Sequence, residues 1–104
     1  MDYERELIMA TKEEIMQTLS AVKHPAINYS LIELGIIKDV SLENEKAKVF
    51  IKFPFKNIPI KEMLINSIEE TVLAMGLEFE YEIQLMNEEE KQHFLYMETK
   101  GWRI

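Results

Sequence analysis

His24 and His93 are the only imidazoles in the chain, and they stand far apart in sequence. A zinc-type centre needs a close set of Cys, His or carboxylate ligands, and no such spacing surrounds either histidine. A cluster of His24, Glu33 and Asp39 would have to be assembled by the fold. The plainer reading of His24 is a loop or helix-end residue. There is no cysteine, hence no thiolate nucleophile, no thiolate metal site and no disulfide framework. Ser30 and Ser67 lack the G-x-S-x-G elbow that presents a nucleophilic serine, and read as a turn serine and a helix-face serine. Gly35, Gly76 and Gly101 are isolated, so no glycine-rich phosphate loop exists. Glu69-Glu70 and Glu88-Glu89-Glu90 read as solvated helix surface, since a catalytic acid needs a pocket that shifts its pKa. No catalytic set emerges, and a non-enzymatic protein is expected.

Three features remain. Glu33 lies before Leu34-Gly35 at the mouth of a strand, where it serves either as a turn cap or on a functional rim. Lys38, Lys46, Lys48, Lys52 and Lys56 form the only basic concentration. Lys46, Lys48 and Lys52 share a strand face with Phe50, which is either a soluble sheet face or a small surface for nucleic acid or acidic peptide. Phe50 on that face is also a candidate contact with a helix or with a second subunit, as in a homodimer.

The balance of the whole chain narrows these choices. It has 104 residues and a formal net charge of −7, with 12 Lys plus Arg against 19 Asp plus Glu. That length predicts one domain over 1–104. Net acidity disfavours nonspecific nucleic-acid binding, which neutralises phosphates with Lys and Arg, and disfavours an anionic membrane surface. No apolar run approaches ~20 residues, so no transmembrane helix is expected. Met1-Asp2-Tyr3-Glu4 lacks an apolar signal core, and the expected compartment is the cytoplasm.

The elements follow from periodicity. Leu7, Ile8 and Met9 suggest a short turn. Thr11-Lys12-Glu13-Glu14 is a capping box, and Ile15, Met16, Leu19 and Val22 recur at helical spacing, predicting a helix from Lys12 to Val22 that Pro25 stops. A strand from Ile36 to Leu42 follows, with Lys38 out of phase, either snorkelling at a rim or shifted by a bulge. Glu43-Asn44-Glu45 turns into a second strand, where Ala47, Val49, Ile51 and Phe53 face inward. Phe55 to Ile58 is a loop. Pro59 opens a second helix carrying Ile60, Leu64, Ile68, Val72 and Met75, with Gly76 just past its end. A third strand spans Glu78 to Met86, with Phe79, Tyr81, Ile83 and Leu85 in one phase, and Tyr81 and Ile83 are expected in the core. Asn87 caps a last helix that Lys100-Gly101 ends, freeing Trp102 to dock back. The order is α-β-β-α-β-α, an α+β two-layer sandwich with a small, mostly antiparallel sheet and helices on one face.

The run His24-Pro25-Ala26-Ile27-Asn28-Tyr29-Ser30-Leu31-Ile32-Glu33-Leu34-Gly35-Ile36-Ile37-Lys38-Asp39-Val40 resembles the signature of the MIP18-like family, also called the domain of unknown function 59 family. The family pattern reads roughly Asp-Pro-Glu, a short spacer, then Ile-x-Asp-Leu-Gly-Leu-Val-x-Asp-Val. The hairpin, the proline loop, the second helix and the third strand continue the likeness in order. The tail Met86-Asn87-Glu88-Glu89-Glu90 with Trp102 resembles archaeal members, so the likeness covers 11–102. It implies an iron–sulfur cluster assembly domain-like fold and a role in iron–sulfur or metal–sulfur cluster biosynthesis.

Departures from the pattern qualify that role. The family carries Cys-Pro at the start of the second helix, where this chain has Ile58-Pro59. Asp-Pro-Glu has become His24-Pro25-Ala26. Glu33 and Asp39 retain acidic positions. Thiolates are the ligands that iron–sulfur sites favour, so neither a bound cluster nor another cofactor is expected. The resemblance then implies an accessory protein that works by contact with iron–sulfur assembly proteins. The functional rim taken from the family loop is Glu33, Asp39, Lys56, Asn57 and Ile58. The competing readings are a divergent interaction or self-association module and, less favoured, a nucleic-acid-binding domain.

Overall fold

The computed structural model describes residues 11–102; the turn expected over Leu7, Ile8 and Met9 lies outside them. Its elements are α1 Lys12–Leu19, β1 Ile37–Glu43, β2 Lys46–Phe53, α2 Lys61–Ala74, β3 Glu78–Leu85 and α3 Glu88–Gly101.

The helix starts obey local chemistry. The Thr11 hydroxyl accepts the Glu14 N–H at 3.1 Å, and Glu14 accepts the Thr11 N–H at 2.9 Å. Asn87 and Glu90 repeat the device at the start of α3, at 2.8 and 2.9 Å. Each box satisfies N–H groups that a helix leaves open. α1 stops at Leu19, short of Val22. The Ala21 and Val22 N–H groups bond three residues back, to Thr18 and Leu19, so the chain tightens and leaves the helical path. α2 starts at Lys61 rather than Pro59. The Lys61 N–H bonds the Ile58 carbonyl, which makes Pro59-Ile60 a turn leading into the helix. Gly76 follows α2 at φ 80°, a left-handed geometry that a side chain would resist.

The sheet order is β1-β2-β3. β1 and β2 are an antiparallel hairpin, turned through Asn44 at φ 58°. β2 and β3 are parallel over all eight pairs, Lys46 with Glu78 through Phe53 with Leu85. One ladder of each kind makes the sheet mixed. The parallel ladder follows from the α2 crossover, since parallel neighbours need a long connection.

The register slips between Ile37 and Asp39, so Lys38 is the extra residue of a bulge. The bulge turns both Ile37 and Val40 to the core, each 1% exposed, and sends Lys38 to solvent. Ala47, Val49, Ile51 and Phe53 of β2 are all buried, in one cluster with Ile15 and Leu19 of α1 and Leu64, Ile68 and Val72 of α2. β3 departs from expectation. Phe79 and Ile83 are half-buried against the cluster, but Tyr81 is 44% and Leu85 50% exposed. Tyr81 is therefore not a core residue. Among the described residues it sits on an edge strand with one neighbour, and the helix layer covers only part of that strand.

Candidate functional site

Beyond Phe53 the chain leaves the sheet, buries Pro54, and exposes Phe55, Lys56 and Asn57 before Ile58 tucks back against the core. This loop forms one wall of a cleft of about 290 Å³. The opposite walls come from His24 and Ala26, and from Phe94, Glu98 and Trp102 at the end of the chain. His24 is buried, and its Nδ1 accepts the Ala26 N–H at 3.0 Å, which fixes the turn around Pro25.

The third wall is held by the last turn of α3. Trp102 bridges to Ile27, and the Gly101 carbonyl accepts the Asn28 N–H. Gly101 is buried against Tyr29. A β-carbon there would lie 2.6 Å from two Tyr29 ring carbons and 3.1 Å from Ile27 Cγ2. Only glycine lets α3 close this tightly on the 27–29 segment, and that closeness places Trp102 on the cleft. Phe55 and Trp102, each 47% exposed, form its rim. The lining is mostly carbon, suited to receiving an apolar or aromatic side chain rather than to proton transfer.

The five rim residues expected from sequence have different surroundings. Lys56, Asn57 and Ile58 are contiguous, Ile58 lining the cleft. Glu33 is a turn cap. Its carboxylate accepts the Ser30 N–H at 2.8 Å, and the Ser30 hydroxyl accepts the Glu33 N–H at 3.0 Å. The Glu33 carbonyl lies 2.9 Å from His93 Nε2. Asp39 turns to the start of α1, where it pairs with Lys12 at 3.2 Å. The Val40 N–H chiefly, then Lys12 and Lys38, hold its carboxyl below the ordinary range. Glu33 and Asp39 are thus committed to other partners than His24. Among the described residues no three His, Asp or Glu side chains gather as a metal ion would require.

The lysine face carries little free charge. Lys46 and Lys48 lie 3.5 and 3.7 Å from Glu80, and Lys48 is 3.4 Å from Glu82. Lys52 goes to Glu90, which also takes Lys38 at 3.3 Å. The parallel pairing of β2 with β3 puts carboxylates beside the lysines, which offsets much of their positive charge. Phe50 is half-buried, with the Lys48 ammonium 5.4 Å from its ring centroid.

Sequence reasoning missed the roles of three residues. Glu90, read as solvated surface, is the hub of an ion cluster, and Asn87-x-x-Glu90 was its visible signal. Phe55 and Trp102 as a cleft rim had no signal beyond one tryptophan placed just after a helix stop.

A family profile described as iron-sulfur cluster assembly protein matches residues 12–85. The match ends before α3, so Phe94 and Trp102 lie beyond it. A solved structure, that of a domain of unknown function DUF59 from Bacillus anthracis, shares the fold. Its TM-score is 0.65, at 15% identity, over 92% of this chain and 96% of that one. No curated protein matches the chain.

Proposed function

Because the chain belongs to the iron–sulfur cluster assembly protein family, we propose that it serves cluster assembly as an accessory factor. It acts by contact with a partner protein, and does not itself hold the cluster. The observation that carries this reading is the cleft beside Ile58. Where the family resemblance expects a thiol, this chain offers an isoleucine flanked by exposed Phe55 and Trp102. Clusters are held mainly by cysteine thiolates, with histidine an occasional substitute. This chain has no cysteine, and the His24 Nδ1 already accepts a backbone N–H. The donor set therefore does not fit a cluster, while exposed aromatic residues beside an apolar cleft are suited to anchoring a protein interface.

Two measurements test the proposal. Offered iron and sulfide without oxygen, the isolated protein should retain neither after desalting; near-stoichiometric retention of both would overturn it. Purified from its native host, the wild type should bring down proteins of iron–sulfur assembly, and Phe55→Ser should lose them while melting at an unchanged temperature. Equal recovery by wild type and variant counts against the cleft.

A further inference from the structure

The two edges of the sheet are unlike. β1 is interrupted by the bulge at Lys38, a device that hinders strand addition. β3 is eight residues long, pairs with β2 without a register shift, and contains no proline or glycine. Among the described residues nothing pairs with its outer side. An edge of this kind presents a row of open N–H and C=O groups. Charges pointing inward often guard such an edge, but here the inward phase is Phe79, Tyr81, Ile83 and Leu85. Two of these, Tyr81 and Leu85, stay about half exposed.

The other phase selects the occupant. Glu78, Glu80 and Glu82 stand in a row on the opposite face. A strand that covers Tyr81 and Leu85 must turn its own apolar residues to the same side, because side chains alternate with a period of two. Its remaining residues then lie beside the three glutamates. A second copy of β3 would set glutamate against glutamate in either direction, and like charges directly opposite are destabilising. A strand alternating basic with apolar residues meets both rows. β2 shows that chemistry on the inner side of β3. Its Lys46 and Lys48 approach Glu80 and Glu82 within 3.7 Å, while Ala47, Val49, Ile51 and Phe53 pair with the apolar phase. A carboxylate has acceptor sites to spare for a second lysine from the other side.

We infer that the outer edge of β3 docks an extended segment of a partner protein in which basic and apolar residues alternate, extending the sheet to four strands. No β3 residue lines the cleft beside Ile58, so this surface stands or falls apart from the proposed function.

The probe is a capped synthetic octapeptide copying Lys46–Phe53, titrated into the isotope-labelled full chain and followed by amide NMR. A control peptide carries glutamate in place of its three lysines. The lysine peptide should saturably shift the amides of 78–85, and bind about tenfold or more tightly than the glutamate peptide. Three results would overturn the inference. One is no shift in β3 at about 1 mM lysine peptide. Another is equal binding of the two peptides. The third is a free protein that sediments as a dimer with its β3 amides already protected, since the edge would then belong to a second copy.

Discussion

Lys52 and Glu90, on β2 and α3, meet with both carboxylate oxygens 3.0 Å from the ammonium. The contact fastens the first turn of α3 to the sheet, and Lys38 joins it from the bulge. The Asn87 N–H, then Lys52 and Lys38, hold Glu90 down to about 2, against an ordinary value of 4.5. A lowered folded-state value means that the stabilisation is complete above the unfolded value and disappears as pH falls through the folded one.

Glu90→Gln keeps an acceptor for the Asn87 N–H but removes the charge. At pH 7 it should cost about 1 kcal/mol, the pair being partly open to solvent. The deficit should shrink below pH 4.5 and vanish near pH 2. Thermal melts across that window are the check, and a deficit independent of pH would show that charge is not the cause.

Gly101→Ala should destabilise by about 1–3 kcal/mol through overpacking against Tyr29. The protein has one tryptophan, so Trp102 fluorescence reports the event directly. Emission should move to longer wavelength if the end of α3 is pushed off Ile27. Unaltered stability and emission would mean that the Tyr29 ring yields without consequence.

Core and edge should respond differently within one sheet. Ile51→Ala and Ile68→Ala remove buried side chains and should each cost about 2–5 kcal/mol. Tyr81→Ala, on the half-covered strand, should cost about 1 kcal/mol or less. Denaturant midpoints give the comparison, and a Tyr81 variant as damaged as Ile51→Ala would contradict the exposed placement of β3.

Glu33→Gln should leave stability within about 0.5 kcal/mol, because the amide oxygen still accepts the Ser30 N–H. Ser30→Ala should cost about 1 kcal/mol, the hydroxyl being buried and serving as the acceptor for Glu33. A large loss in Glu33→Gln would assign its charge a role beyond the turn.

The features legible in the residues alone are local or periodic. The Thr11 to Glu14 capping box marked one helix start and Asn87 ahead of three glutamates marked another, because capping is local chemistry. Alternation in 46–53 marked a strand with one buried face, since side chains on a strand alternate faces. The out-of-phase Lys38 marked an irregularity, open between snorkelling and a bulge, and the pairing register decided for the bulge. The missing cysteine bounded the chemistry before any geometry.

The rest turned on contacts between residues remote in sequence. Periodicity gave Tyr81 and Val49 the same standing. Val49 is flanked by strands on both sides and covered by helices, whereas Tyr81 lies on an edge. The lysines were readable as a soluble sheet face or as a small basic surface, and only the pairing with β3 showed Glu80 and Glu82 beside them. Glu33 was open between a turn cap and a rim, and its bonds with Ser30 supply the cap, while Asp39 pairs with Lys12. The cleft joins His24, Ile58 and Trp102 through three segments, and no local pattern encodes that meeting. It depends on how closely α3 packs against the 27–29 segment, which the absence of one β-carbon at Gly101 permits.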